Sequence, residues 1–325
     1  AVVATGLTQV GPVQASMVRP GVARALPARQ ASSNTFVFGS GQDISNLDPQ
    51  TGSDYSITWA QRAVYDSLLM YAGNPPEIRP LLATEATGNE DATVWTIKLT
   101  DQATFHDGSP VTAEAVQFSF GRMLRKNLAN AWMFTDIMTE ESVQIVDPTT
   151  LQITLTKPFA PFDAILPWLF VVNPAVVQAN EVDGDEGEAY LREHEAGSGP
   201  YTIARWEIGS IYEFQKWPDY WYQPEGVNLF DRFIWRIIRE SSTKRIAMEA
   251  GEIQYADTLT PEDYEALGAA GFTLNASREL TPFAIKLNNR VGPTSDVNVR
   301  KALMHAMDYQ AALDSVLGYG GILQG

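Results

Sequence analysis

Apolar residues along this chain recur with two different periods, and the switches between them mark its elements. Thr35-Phe36-Val37-Phe38 is a β-favouring run closed by Gly39-Ser40-Gly41, and Asn46-Leu47-Asp48-Pro49 reads as a turn. Between Ile57 and Met70 the apolar residues Trp59, Ala63, Val64, Leu68 and Leu69 keep a helical spacing, which predicts one helix ending before Gly73-Asn74-Pro75-Pro76. Thr93–Leu99 then alternates like a half-buried strand. Asp107-Gly108-Ser109-Pro110 cannot continue that strand and forms a turn. Thr112 is placed to cap a helix with Glu114 in its first turn, and Val116, Phe120, Met123 and Leu124 form its apolar stripe.

Further along, Val143–Val146 and Leu151–Leu155 flank Asp147-Pro148-Thr149-Thr150, the clearest hairpin signal in the chain. The aromatic-rich stretch Phe159–Val172, broken by Pro161 and Pro167, is expected to pack across a core. An acidic loop over Asp183–Glu188 leads to a short helix over Glu188–Glu195, and Gly197-Ser198-Gly199-Pro200 marks a boundary. Tyr201–Trp206 and Ile211–Lys216 are expected to pair as strands, and Phe233–Arg239 is β-rich. Thr243–Ala250 and Pro261–Leu267 read as helices, Phe283–Leu287 as a short strand, and Asn298 to Leu317 as a last helix. Short strands mixed with helices argue for α/β lobes built on mixed sheets.

Length changes this picture by requiring more than one core, since 325 residues exceed what a single core usually serves. A hydrophobic fraction of 45% excludes general disorder. The net charge of −16, from 39 acidic against 23 basic residues, disfavours nucleic acid as a partner and suits a monomer. The absence of cysteine excludes disulfides, thiolate nucleophiles and Cys-built metal sites. No apolar run is long enough to predict a transmembrane span. Residues 1–33 read as a leader, either the tail of an export signal ending near Ala15 or a disordered segment.

Candidate chemistry adds little to this. His106 and Asp107 are adjacent in an extended segment, so their side chains point apart; a turn-stabilising Asp107 and a solvent-facing His106 are expected. His194 and His305 lack zinc-ligand spacing, and Asp183, Asp185, Glu186 and Glu188 lack the pattern of a calcium loop. Ser198 is not in a nucleophile elbow, because Gly197 directly precedes it and Pro200 follows Gly199. No cofactor fingerprint follows Gly39-Ser40-Gly41. No catalytic residue, metal site or cofactor is therefore assigned, and the expected class is not an enzyme.

Five segments, in order, carry a resemblance. Asn46-Leu47-Asp48-Pro49, Trp95-Thr96-Ile97-Lys98-Leu99, the run from Phe105 through Asp107-Gly108-Ser109-Pro110 to Val116, Gly197-Ser198-Gly199-Pro200-Tyr201 and Asp296–Asp308 together resemble the bacterial extracellular solute-binding proteins of family 5, the peptide and nickel capture components of ABC importers. The resemblance implies an α/β, periplasmic-binding-protein-like type II fold with two lobes, mixed sheets and an extra domain. It implies a discontinuous first lobe (34–54 and 195–280), the extra domain at 55–194 and the start of a second lobe at 281–325, incomplete relative to the family and so C-terminally truncated. It implies capture of a small solute, with oligopeptide or dipeptide expected first, and delivery to a membrane permease. The implied location is periplasmic or extracytoplasmic, with a membrane anchor allowed in the precursor. The ligand-binding residues it points to are Leu47, Asp48, Tyr55, Trp59, Trp132, Asn288 and Asn289. From the residues alone, Trp59 also fits a core stripe and Asp48 a turn brace. Trp217, Tyr220, Trp221 and Tyr222 read as either a ligand platform or a rigid packed loop. A non-catalytic protein-interaction or chaperone-like module is the main alternative, and a hydrolase a weaker one.

Overall fold

The computed structural model describes residues 34–73, 75–223, 229–275 and 285–312; the leader and the end of the last expected helix lie outside them. Two sheets with separate cores organise the chain. Strand β1 (Thr35–Ser40) is followed by helix α1 (Tyr55–Val64), the small hairpin β2 (Leu69–Ala72) and β3 (Glu77–Pro80), and then β4 (Ala83–Gly88) and β5 (Val94–Leu99). Helix α2 (Ala113–Lys126) precedes the hairpin of β6 (Val143–Asp147) and β7 (Thr150–Thr154). Short helices α3 (Phe162–Ile165), α4 (Pro174–Ala179) and α5 (Glu188–Leu191) lead to β8 (Tyr201–Glu207), β9 (Ile211–Lys216) and β10 (Arg232–Ile237). Helix α6 (Ser241–Glu249), β11 (Tyr255–Ala256), α7 (Pro261–Ala269), α8 (Val297–Ala306) and α9 (Tyr309–Ala312) complete the described strands and α-helices.

The five-stranded sheet runs β11-β1-β10-β9-β8, with β11, β1 and β10 parallel and the other pairs antiparallel. The alternation of β1 puts Phe38 on one face in register with Trp235 and Tyr255. That face is covered by α1 through Ile57, Ala60, Ala63 and Val64, and by Phe170, Val172 and Leu191. The opposite face packs Val37 with Ile238, Ala247 and Ile253 beneath α6. At Gly39 an added Cβ would stand 2.6 Å from the end of the Ile253 side chain, which would have to shift to admit it.

The second sheet runs β4-β5-β7-β6 and is covered by α2. Trp95, Ile97, Leu99, Leu151 and Ile153 face Val116, Phe120 and Met123 in one buried cluster. Burying about ten such side chains, at roughly 1.5–3 kcal/mol each, supports this unit as a core of its own. Between the units, Leu169 and Val171 turn into the four-stranded core while Phe170 and Val172 turn into the other. Phe159–Val172 crosses the molecule as its aromatic content predicted, and it serves both cores.

Several expectations need correction. The helix expected to reach Met70 ends at Val64, where Tyr65 turns extended. Asp66 and Ser67 spend their side chains on other partners, Ser67 donating to the carbonyl of Leu69, and such bonds compete with helix. Leu68 and Leu69 are buried in the four-stranded unit's core instead. Strands β3 and β4 carried no apolar alternation, because they bury only Ala83 among their residues. The last helix breaks at Met307 rather than running on from Asn298, and residues 313–317 lie outside the described set. Within 285–287, the described part of the expected strand at 283–287, there is no strand.

Candidate functional site

The parallel strands bring their carboxyl ends together, the position where open α/β sheets hold ligands. The chain beyond β1 is braced there by short-range bonds. Ser40 Oγ donates to Asp257 at 2.8 Å, and the Gly41 amide donates to the same carboxylate at 3.3 Å. The fully buried Lys244 ammonium reaches the Asp257 carbonyl at 2.7 Å and its carboxylate at 3.1 Å. Trp235 donates its indole N–H to the Gln42 carbonyl at 3.1 Å. Asp43 accepts from Tyr212, Gly209 and Ile44. Burial raises the Asp43 pKa, but these hydrogen bonds outweigh it and hold the carboxyl below its ordinary value.

Over this braced end lies an aromatic ledge. Phe38 and Trp235 are buried with ring centroids 4.5 Å apart. Trp59 rests 6.1 Å from Phe38 and 6.5 Å from Trp235, Tyr55 lies 5.6 Å from Trp59, and Tyr255 lies 5.2 Å from Phe38. Trp59 is 44% exposed, Tyr55 54% and Tyr255 40%. Three large rings thus stand open to solvent on a rigid buried base, which suits stacking and apolar contact with a ligand. Sequence reasoning reached Tyr55 and Trp59 but not Tyr255, whose two-residue strand shows no periodicity.

The remaining expected site residues lie elsewhere. Leu47 and Asp48 are fully buried, and both Asp48 oxygens bind the guanidinium of Arg122 at 2.8 and 2.6 Å, so neither side chain presents a surface to a solute in this conformation. Trp132 is 69% exposed, and its neighbours Ala131 and Phe134 belong to the core of the four-stranded unit. Asn288 and Asn289 are exposed, and Asn288 Oδ1 accepts from the Arg290 amide at 2.9 Å as a local turn. A groove of about 640 Å³ opens between α2 and α4, beside Phe105, Phe118, Asn173 and Gln178. None of the expected site residues lines it, and its one arginine, Arg125, is already paired with Glu140 and Glu186.

Other motifs resolve into packing. Asp107 stabilises its turn as expected, accepting from the Ser109 amide at 2.9 Å and from Asn173 at 2.8 Å. His106, expected to face solvent, is instead mostly buried against Glu195 and Trp217. Tyr220 and Trp221 follow the packed-loop reading, donating to buried Asp66 at 2.9 and 3.1 Å. The acidic loop is tied to α2 and α5: Lys126 and Arg192 bind Glu188, and Asp185 accepts three backbone amides. Ser198 donates to Asp66 at 3.1 Å, while both nitrogens of His106 engage Glu195 and Gly199, so no serine–histidine pair is assembled here. Among the described residues no three His, Asp or Glu converge on a metal position, and no helix is long and apolar enough to cross a membrane.

Comparison with known proteins matches residues 77–324 to the family described as bacterial extracellular solute-binding proteins, family 5 Middle. The probable D,D-dipeptide-binding periplasmic protein of Escherichia coli K12 is 30% identical over 297 residues, covering 88% of this chain and 55% of that protein. The glutathione-binding protein of Shigella boydii is 27% identical, with 92% and 57% covered. The chain thus spans about half the length of the curated relatives it matches. A crystal structure of Haemophilus influenzae OppA in complex with the peptide RPPGFSPFR superposes with a TM-score of 0.78 at 22% identity, over 89% of this chain and 59% of that one. This likeness establishes a two-lobed, mixed-sheet α/β fold of the periplasmic-binding-protein kind.

Proposed function

The chain belongs to the bacterial extracellular solute-binding proteins of family 5, and from that premise we propose that it serves to capture a short peptide outside the cytoplasm and hand it to the membrane permease of an ABC importer. No bond is made or broken in this function. A ligand that makes more contacts in a closed arrangement than in an open one shifts the population toward closure. The observation that carries this reading is the exposed ledge of Tyr55, Trp59 and Tyr255 over buried Phe38 and Trp235, at the carboxyl ends of three parallel strands. A peptide offers main-chain polar groups to such an edge and side chains to such rings.

The type II subclass and the division into lobes belong to the same proposal: a discontinuous first lobe, an inserted extra domain, and a second lobe beginning near residue 281. The packing of α1 and of residues 170–196 with the five-stranded sheet favours drawing the extra domain inward from 55–194, to about 68–169. Tyr55 and Trp59 remain the proposed ligand contacts, joined by Tyr255. Asn288 and Asn289 remain proposed contacts from the second lobe, and Trp132 a peripheral one; Leu47 and Asp48 act from beneath the surface.

Isothermal titration of the chain with a D,D-dipeptide, glutathione and RPPGFSPFR tests the reading. A saturable one-to-one heat is expected for at least one of them, weakened about tenfold or more, or roughly 1.4 kcal/mol, by Trp59→Ala. Binding to none of the three, or binding indifferent to Trp59, would contradict it. The uncovered apolar positions of α8, Leu303 and Met304, favour the alternative of a protein-interaction module. That alternative predicts binding to unfolded chains that small peptides do not displace.

A further inference from the structure

The two sheet units meet at a junction built largely from titratable groups, and solute capture uses none of them. The turn after β5 carries His106 across to the segment 195–200 of the five-stranded unit. His106 Nδ1 lies 2.7 Å from Glu195 Oε2, and Nε2 lies 2.9 Å from the Gly199 carbonyl. The His106 amide donates to the Gly197 carbonyl at 3.0 Å, and the ring packs 5.4 Å from Trp217. A carbonyl can only accept, so Nε2 must carry a proton. Glu195 Oε2 also accepts the Gly197 amide at 2.9 Å, and a proton on Nδ1 would give the same oxygen a second donor. With a donor at each nitrogen the ring would be an imidazolium.

We propose that this proton fastens the turn at 105–110 to the Gly197–Gly199 segment, making the junction between the two units a clasp that loosens when His106 becomes neutral. Without the proton, a ring lone pair faces a carboxylate lone pair at the 2.7 Å contact. The buried negative charge then has no cation beside it. Asp66 is the second carboxyl at the junction, fully buried among Ser198, Tyr220 and Trp221. The other groups facing the clasp are Asp107, turned toward Asn173 and Ser109, and the buried Tyr65 hydroxyl, 3.4 Å from the Ala196 amide. The electrostatics agree with the geometry. Burial works against the charged ring, but the hydrogen bond and charge of Glu195, with the Gly199 carbonyl and Asp66, outweigh it and hold the His106 pKa above its ordinary value. Burial lifts the Asp66 carboxyl to about 6, against the opposing bonds from Trp221, Tyr220 and Ser198.

Both shifts have the same sign. A histidine with a raised folded pKa stabilises fully below its unfolded value, about 6.5, and loses that contribution as pH rises through the folded value. A carboxyl with a raised folded pKa likewise favours the fold while protonated, and that preference fades as pH climbs through about 6. The clasp is tightest in mild acid. From about pH 6 upward the buried Asp66 carboxylate joins the half-buried Glu195 beside one imidazolium, and the clasp opens when that last proton leaves.

The chain has 3 histidines, so selective ¹⁵N labelling of histidine gives a readable NMR titration. His106 is expected to stay doubly protonated above the ordinary histidine value. As it titrates, hydrogen exchange at the amides of His106 and Gly199 should accelerate about tenfold beyond the intrinsic pH trend, with Ile97 and Trp235 unchanged. Glu195→Gln should bring the His106 midpoint down toward the ordinary value and abolish the pH-dependent step in exchange. A His106 that titrates at or below the ordinary histidine value would overturn the proposal, as would junction exchange that follows the intrinsic trend alone. The unmodified chain decides both points even if the variant fails to fold.

Discussion

Asp48 and Arg122 are 74 positions apart and meet with no exposed side-chain surface at either end. Arg122 also donates to Gln50 Oε1 and to the Glu186 carbonyl, so one guanidinium joins the turn after β1, helix α2 and the acidic loop. Removing one partner of such a pair leaves an uncompensated buried charge. Arg122→Ala is expected to cost about 3–5 kcal/mol in denaturant unfolding, while the double replacement Asp48→Leu/Arg122→Met costs clearly less. Equal losses in both variants would mean that packing, not charge, is the main term. The sequence already marked Asp48 as a turn residue, and its Oδ1 does accept the Gln50 amide at 2.9 Å. Its buried cation was not legible, because Arg122 sits in an ordinary-looking helix and nothing local distinguishes it from the exposed Arg125. His106 was misread for the same reason: its burial comes from Glu195 and Gly199, some ninety residues away.

At the scale of elements, strands and helices with strong periodicity were legible, and those shaped by tertiary contact were not. β5, α2, the β6–β7 hairpin and the β8–β9 pair follow their patterns because each buries one clear face. Helix α1 departs from its pattern because its end is decided by another segment. The Gly199 amide donates to the Val64 carbonyl at 3.0 Å, satisfying a terminal acceptor that a further turn of helix would otherwise occupy. An added Cβ at Gly197 would stand 1.8 Å from that same carbonyl oxygen. Gly197→Ala is therefore expected to lower the melting temperature sharply or abolish folding, read by circular dichroism. Gly108→Ala, with open space around it and only a left-handed backbone to strain, should cost about 1 kcal/mol. Similar melting temperatures for the two variants would contradict the close approach of segment 195–200 to α1.

At the scale of the whole molecule, the length and the ordered motifs indicated more than one core and a capture protein of two lobes, and the fold agrees with that architecture. The candidate site was only half legible. Tyr55 and Trp59 were within reach because they fall on a helix next to a motif, whereas Tyr255 joins them only through the pairing of β11 with β1. The central claim is that solute meets the molecule at this ledge. It is tested most directly by labelling the 8 tryptophans with fluorine, assigning each signal by substitution, and titrating with RPPGFSPFR, glutathione and a D,D-dipeptide. The account predicts a saturable shift of the Trp59 signal with at least one of these ligands, a smaller one for Trp235 beneath it, and none for Trp95 in the four-stranded core. A shift confined to Trp132, or no shift at any tryptophan up to millimolar peptide, would contradict it.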